Sequence, residues 1–164
     1  MLTIYGQFRP ARTVQYYPYD EALVFSVPLQ PVDPGAEFTI LDLDGLEARA
    51  RQAGFVHLPL GPGGTRLRVY RVDQEGTGES PLLVQFRDST NAHGSYPAGR
   101  FVELIPGAPG QYRLDLNRAR NPFCAYAAAF PCPVPWPGNF IPAPVKAGER
   151  YEGGGLEPKE DGPS

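Results

Sequence analysis

Glycine and proline punctuate this chain too densely for long helices. Nineteen glycines and twenty prolines make up about a quarter of its 164 residues. Proline removes a helical hydrogen bond and clashes with the preceding turn, and glycine weakens any helix it enters. Yet 41% of the residues are hydrophobic and only 20% are charged. That is enough apolar surface to fold, unlike a disordered chain. A chain of this length fits one domain of short strands and many turns.

Strand-like runs appear between the turn residues. They are Leu23–Val27, Glu37–Leu43, Phe55–Leu60, Arg66–Val72, Leu82–Phe86, Arg100–Ile105 and Tyr112–Leu116. Arg66–Val72 alternates, with Leu67 and Val69 on one face and Arg66, Arg68, Tyr70 and Val72 on the other. Leu82–Phe86 is almost wholly apolar and reads as a central, buried strand. Asp42–Ala53 is ambiguous. Leu46, Ala50 and Ala53 fit a helical stripe capped by Asp44, whereas Asp44-Gly45 is a type I′ hairpin signal. The flanking strands favour the hairpin. After Asn117 the pattern changes, and seven prolines lie between Asn121 and Pro144. This stretch reads as an ordered wrap anchored by Phe123, Tyr126, Phe130 and Trp136. The expectation is a single all-β domain over residues 1–151, an antiparallel barrel or sandwich of about eight or nine strands closed by the Pro-rich segment. Residues 152–164 read as a fraying tail.

A net charge of −3 argues against binding nucleic acid by phosphate neutralisation. No basic amphipathic stretch suits a membrane surface, and no run approaches the roughly 20 apolar residues of a spanning helix. Met1–Arg12 lacks the basic and apolar regions of a secretion signal, so the expected location is the cytoplasm. Gly61-Pro62-Gly63-Gly64 lacks the Lys-Ser/Thr ending of a phosphate loop. Two histidines, His57 and His93, and no CxxC pair give no metal-ligand spacing, and no metal or cofactor is expected. Ser89, His93 and Asp88 lie too close in sequence for a triad, whose members converge from distant segments, and read as a hydrogen-bonded loop. Cys124 and Cys132 read first as buried, reduced thiols, second as a disulfide and third as a catalytic centre. Trp136 and Tyr126 read as packing anchors before stacking platforms for a sugar or base.

A chain of short motifs stands out over Leu82–Tyr151. It comprises Phe86-Arg87-Asp88-Ser89-Thr90, Ser95-Tyr96-Pro97-Ala98-Gly99-Arg100 and the run from Leu114 to Pro122. Cys124-Ala125-Tyr126, Cys132-Pro133-Val134-Pro135, Asn139 and Ala147-Gly148-Glu149 complete it. In this order the set resembles the domain-of-unknown-function family 1684 of bacteria and archaea. The family usually carries Phe where this chain has Leu116, and Tyr where it has Arg120. The resemblance implies no activity.

The polar residues of this half form the candidate site. Asp88, Asp115 and Glu149 are the candidate catalytic carboxylates, for acid–base work. Tyr96, Arg100, Asn117, Asn121 and Asn139 are the candidate ligand-binding residues, with the Arg100 fork suited to a carboxylate or phosphate. Arg100 opens one strand and Asp115 nears the end of the next, so antiparallel pairing predicts one cluster holding both, with Asn121 or Glu149. The competing reading is that these groups tie loops together. The function expected is a soluble β domain binding a small ligand or partner around Arg100. A hydrolase or lyase using the same carboxylates is the alternative.

Overall fold

The structure is a computed structural model and describes residues 14–74, 78–127 and 129–151. The expected tail at 152–164 lies outside the described residues. The strands are β1 (Gln15–Tyr16), β2 (Val24–Pro28), β3 (Gln30–Pro31), β4 (Phe38–Leu41), β5 (Glu47–Leu58) and β6 (Thr65–Val72). They continue with β7 (Leu82–Asp88), β8 (Arg100–Pro106), β9 (Gln111–Asp115), β10 (Phe140–Ile141) and β11 (Glu149–Arg150). Three 3-10 turns, at Glu21–Leu23, Leu116–Arg118 and Phe123–Ala125, are the helical elements among the described residues.

Among the described residues, nine strands form one sheet in the order β2-β9-β8-β7-β6-β5-β3, with β4 on β5 and β10 on β7. The chain runs from β2 into β3 with one residue between. β2 pairs with β9 and β3 pairs with β5. One stretch of chain thus meets both ends of the sheet and curls it into a nearly closed, all-β antiparallel barrel. Barrel closure removes most of the open strand edge.

Each strand sends alternate residues inward. Val56, Leu67, Val69, Val84, Phe86, Val102, Leu104 and Leu114 fill the interior. A second core lies outside the barrel wall. There Tyr70, Val72, Leu83 and Phe101 are covered by Leu43, Phe123 and Trp136. Tyr70 and Trp136 pack with ring centroids 4.3 Å apart. Both faces of β7 are buried from Leu82 to Phe86, which is why that stretch is apolar but for Gln85, itself fully buried with its side-chain amide on the Ala98 carbonyl. The same cover explains β6: Arg66 and Arg68 share a face with Tyr70 and Val72 but lie beyond it, in solvent.

The Asp42–Ala53 segment is a hairpin, as the strand context favours. Leu41 pairs with Glu47, and the Gly45 amide bonds the Asp42 carbonyl at 2.8 Å. The turn is longer than a two-residue type I′ loop. Only Gly45, at φ +76°, is left-handed, and Asp44 is not. The hairpin and Phe55–Leu60 are also one element. β5 runs through both, with a bulge between Gln52 and Gly54. The extra residue flips the side-chain alternation, so Ala50 faces the outer core and Val56 the barrel interior. Gly54 sits under the Gln30 carbonyl of β3, where a Cβ would collide.

The Pro-rich segment and the residues that follow it do more than cover the barrel. Ile141, Val145 and Ala147 are fully buried in the interior core. β6 and β7 pair only at Tyr70–Leu83 and Arg71–Leu82. Beyond these pairs β10 runs parallel to the end of β7.

Candidate functional site

Arg100 and Asp88 face inward at one end of the barrel, where β7 ends and β8 begins. Their strands bring them together: Arg100 lies one register step from Asp88, opposite Phe86. The Arg100 Nη2 is 3.3 Å from Asp88 Oδ1, and both side chains are wholly buried. Nη2 also donates to the Val145 carbonyl at 2.9 Å. Nη1 donates to the carbonyls of Ala147 and Glu149. Asp88 Oδ2 accepts from the Val145 amide at 2.7 Å and the Thr90 hydroxyl at 2.8 Å. Burial pushes the Arg100 guanidinium down from its usual range, and Asp88 opposes that shift. The pair fastens the segment 145–149 across the barrel end, and every one of these bonds is internal. Arg100 is closed off from solvent by burial, and its Nε is left without a hydrogen-bond partner among the described residues.

Asp115 is not in this cluster. It pairs with Arg113 at 3.2 Å and caps the Leu116–Arg118 turn through the Asn117 amide at 2.9 Å. Leu104 pairs with Leu114. Arg100 thus begins three residues beyond the point opposite Asp115, roughly 10 Å along the strand. Arg100 and Asp115 lie at the same end of the sheet, but β7 ends closer to Arg100, so Asp88 rather than Asp115 is its partner.

The remaining candidates divide. Asn139 takes the place of a missing ladder between β6 and β7. Its Oδ1 accepts from the Arg68 amide at 2.9 Å, and its Nδ2 donates to the carbonyls of Arg68 and Gln85 at 3.0 Å each. Asn117 ties Asp20 down, accepting from its amide and donating to its carbonyl at 2.9 Å. Asn91, Thr90 and Ser95 close the Asp88–Ser95 loop among themselves. His93 and His57 are exposed.

The two cysteines form a disulfide, with Cα atoms 5.4 Å apart. The expectation of two buried thiols does not hold, since Cys124 is buried but Cys132 is exposed. The Phe123–Ala125 turn carries Cys124 into the core. The Tyr96 hydroxyl lies 3.1 Å from the Cys132 sulfur and 3.6 Å from that of Cys124.

Glu149 is the catalytic candidate that lines a cleft. Its Oε1 accepts from the Tyr126 hydroxyl at 2.6 Å and the Asn121 amide at 2.9 Å. Its Oε2 lies 3.9 Å from Arg120 Nε. Burial raises its pKa above the ordinary glutamate value, with the Tyr126 and Asn121 hydrogen bonds opposing the rise. Glu149 lines a cleft of about 360 Å³ on the outer face of β8. Leu43, Leu83, Phe101 and Ile105 form the apolar part, and Tyr16, Glu103, Asn117, Arg118 and Arg120 the polar part. Residues Ala119–Asn121 reach this position because Arg120 exchanges two backbone hydrogen bonds with Phe101 at 2.8 Å. Burial also raises the Glu103 pKa, with the nearby Arg118 charge opposing it. Arg118 is exposed and makes no ion pair among the described residues. Sequence reasoning missed Glu103, Arg118 and Arg120. Arg118 and Arg120 stand in the Leu114–Pro122 motif, which was the available signal.

A second groove, about 460 Å³, lies between β4 and the Val134–Pro137 stretch, with Tyr70 and Trp136 in its wall. No group of three or more His, Cys, Asp or Glu side chains among the described residues is arranged to hold a metal ion. No helix among them is long and apolar enough to cross a membrane.

The fold and cleft define an antiparallel β-barrel domain whose C-terminal strap is bolted to one end by a buried ion pair. The sequence profile of the family described as "protein of unknown function (DUF1684)" matches residues 11–150, and the chain belongs to that family. The match takes in the N-terminal half that the short motifs did not reach. The solution NMR structure of an uncharacterised protein from Haloarcula marismortui is similar, with 29% identity and a TM-score of 0.67. The similarity covers 84% of this chain and 75% of that one. No curated protein matches.

Proposed function

We propose that the protein is a binding module for a small organic anion, seated in the cleft between β8, Arg118–Arg120 and Glu149. The observation that carries this reading is the exposed Arg118 guanidinium, which makes no ion pair among the described residues, lining a cleft with an apolar part. Ligand sites are concave, mostly apolar and fitted with a few polar groups that fix orientation. A guanidinium suits a carboxylate or phosphate through its planar fork. The ligand class is therefore an apolar body bearing one such group. Arg100 has a supporting part, holding the strap that presents Glu149.

A second reading, acid–base catalysis, is favoured by one observation. Glu149 has one oxygen held by Tyr126 and Asn121, the other beside the cleft, and a raised pKa. Raised carboxyl pKa values suit general acids. In that reading the carboxylates are Glu149 and Glu103, not Asp88 or Asp115.

The disulfide weighs against the cytoplasmic location expected from the sequence, because most cytosols keep thiols reduced.

The test is an NMR titration of the isotopically labelled protein with a panel of small aryl and alkyl carboxylates and phosphates. Amide shifts clustered at Glu103, Arg118–Arg120 and Glu149 support the reading. Shifts centred on β4 and Trp136, or none with any member, contradict it. Turnover of an ester or phosphoester in the panel, lost in Glu149→Gln, would favour the catalytic reading.

A further inference from the structure

We propose that the Cys124–Cys132 disulfide is a thiol–disulfide exchange site, opened at the Cys132 sulfur by a dithiol reductant, and that its reduction releases the Tyr126 anchor of Glu149. The consequence for ligand binding rests on the reading above; the exchange chemistry does not.

The two cysteines differ in exposure. Cys124 is 2% exposed, and Cys132 is an exposed residue. Exchange needs a thiolate to reach one sulfur while the other leaves, so access selects Cys132 for attack. The reductant's thiolate bonds to Cys132 Sγ and the Cys124–Cys132 bond breaks. Its electron pair leaves on Cys124 Sγ, which takes up a proton. The reductant's second thiol then attacks the mixed disulfide and frees Cys132. Two electrons and two protons pass from the dithiol to the protein, and the reductant becomes a disulfide. Tyr96 is placed to assist, its hydroxyl within reach of both sulfurs. Burial and the neighbouring Tyr151 keep its proton on. A hydrogen bond to the thiolate form favours that form and eases its departure.

The loop closed by the disulfide carries Tyr126. Among its described residues the backbone hydrogen bonds are local: Ala125 to Pro122, Tyr126 and Ala127 to Phe123, and Phe130 to Ala127. The Tyr126 hydroxyl, by contrast, reaches out to Glu149 Oε1 at 2.6 Å. Opening the disulfide frees one end of this loop, and the Tyr126–Glu149–Asn121 bonds are what its added motion disturbs.

The full-length oxidised protein is incubated with dithiothreitol or with glutathione near neutral pH without denaturant, quenched in acid and read by intact mass and peptide mapping. The expected result is reduction of the folded protein and a glutathione adduct on Cys132. Reduction only after denaturant is added, or an adduct on Cys124, would overturn the exchange site. Amide hydrogen exchange is then compared between the two redox forms. The Asn121 amide, bonded to Glu149 Oε1 at 2.9 Å, is expected to exchange at least about tenfold faster after reduction, as a locally loosened unit does. An unchanged rate would overturn the coupling. Neither readout uses a ligand, so a failed binding reading leaves both results interpretable.

Discussion

Arg100 and Asp88 meet 3.3 Å apart with no solvent exposure, and between them they hold the Val145 amide and the carbonyls of Val145, Ala147 and Glu149. Removing one partner strands the other as a buried charge. Arg100→Ala is expected to lower the unfolding free energy by about 3–5 kcal/mol. Asp88→Ala is expected to cost a similar amount, and the double variant less than the two together, because the groups are coupled. Urea denaturation of the three variants measures this. A wild-type midpoint for Arg100→Ala would show that the strap is held by something else.

Asn139 predicts a second, independent loss. Its side chain satisfies the Arg68 amide and the carbonyls of Arg68 and Gln85, where β6 and β7 no longer pair. Asn139→Ala leaves these backbone groups without partners. An unsatisfied buried group costs about 1–3 kcal/mol. Thermal melting should show a loss of at least that size, and a change within error would contradict the bridging role.

Glu149 sets a pH dependence. Its folded pKa lies above the ordinary value of 4.5 because burial disfavours the charged form. The folded state then holds its proton more tightly than the unfolded state does. Its contribution to stability is present in full below the unfolded pKa and is lost as pH rises through the folded pKa. Glu149→Gln keeps an oxygen for Tyr126 and Asn121 but cannot ionise. Its stability relative to wild type should therefore improve between about pH 4 and pH 7. Paired denaturation curves across that range decide it. A difference that stays flat, or moves the other way, would contradict a raised pKa.

The architecture was legible wherever short-range chemistry governs it. Asp44-Gly45 marked a turn, and the almost wholly apolar run of Leu82–Phe86 marked a central, buried strand. The site was less legible, because its contacts are long-range. Nothing local says that Arg100 prefers Asp88 over Asp115, since that depends on where β7 ends. Asn139 reads as a turn residue until β6 and β7 are seen to separate. The Pro-rich stretch reads as a wrap, yet Ile141, Val145 and Ala147 enter the core. The disulfide was permitted by spacing but ranked behind reduced thiols on an argument about compartment, which carries no information about geometry. The cleft itself went unseen because Glu103 lies on the solvent side of its strand, where a charged residue is expected.

The central claim is that polar groups at the barrel end hold the fold while the neighbouring cleft binds an anion through Arg118. Calorimetric titration of Arg118→Ala with the best anion from the panel tests it most directly. Arg118 is exposed and makes no ion pair among the described residues, so its removal should leave the melting temperature unchanged while weakening binding at least about tenfold, or roughly 1.4 kcal/mol. Wild-type affinity in Arg118→Ala would contradict the claim.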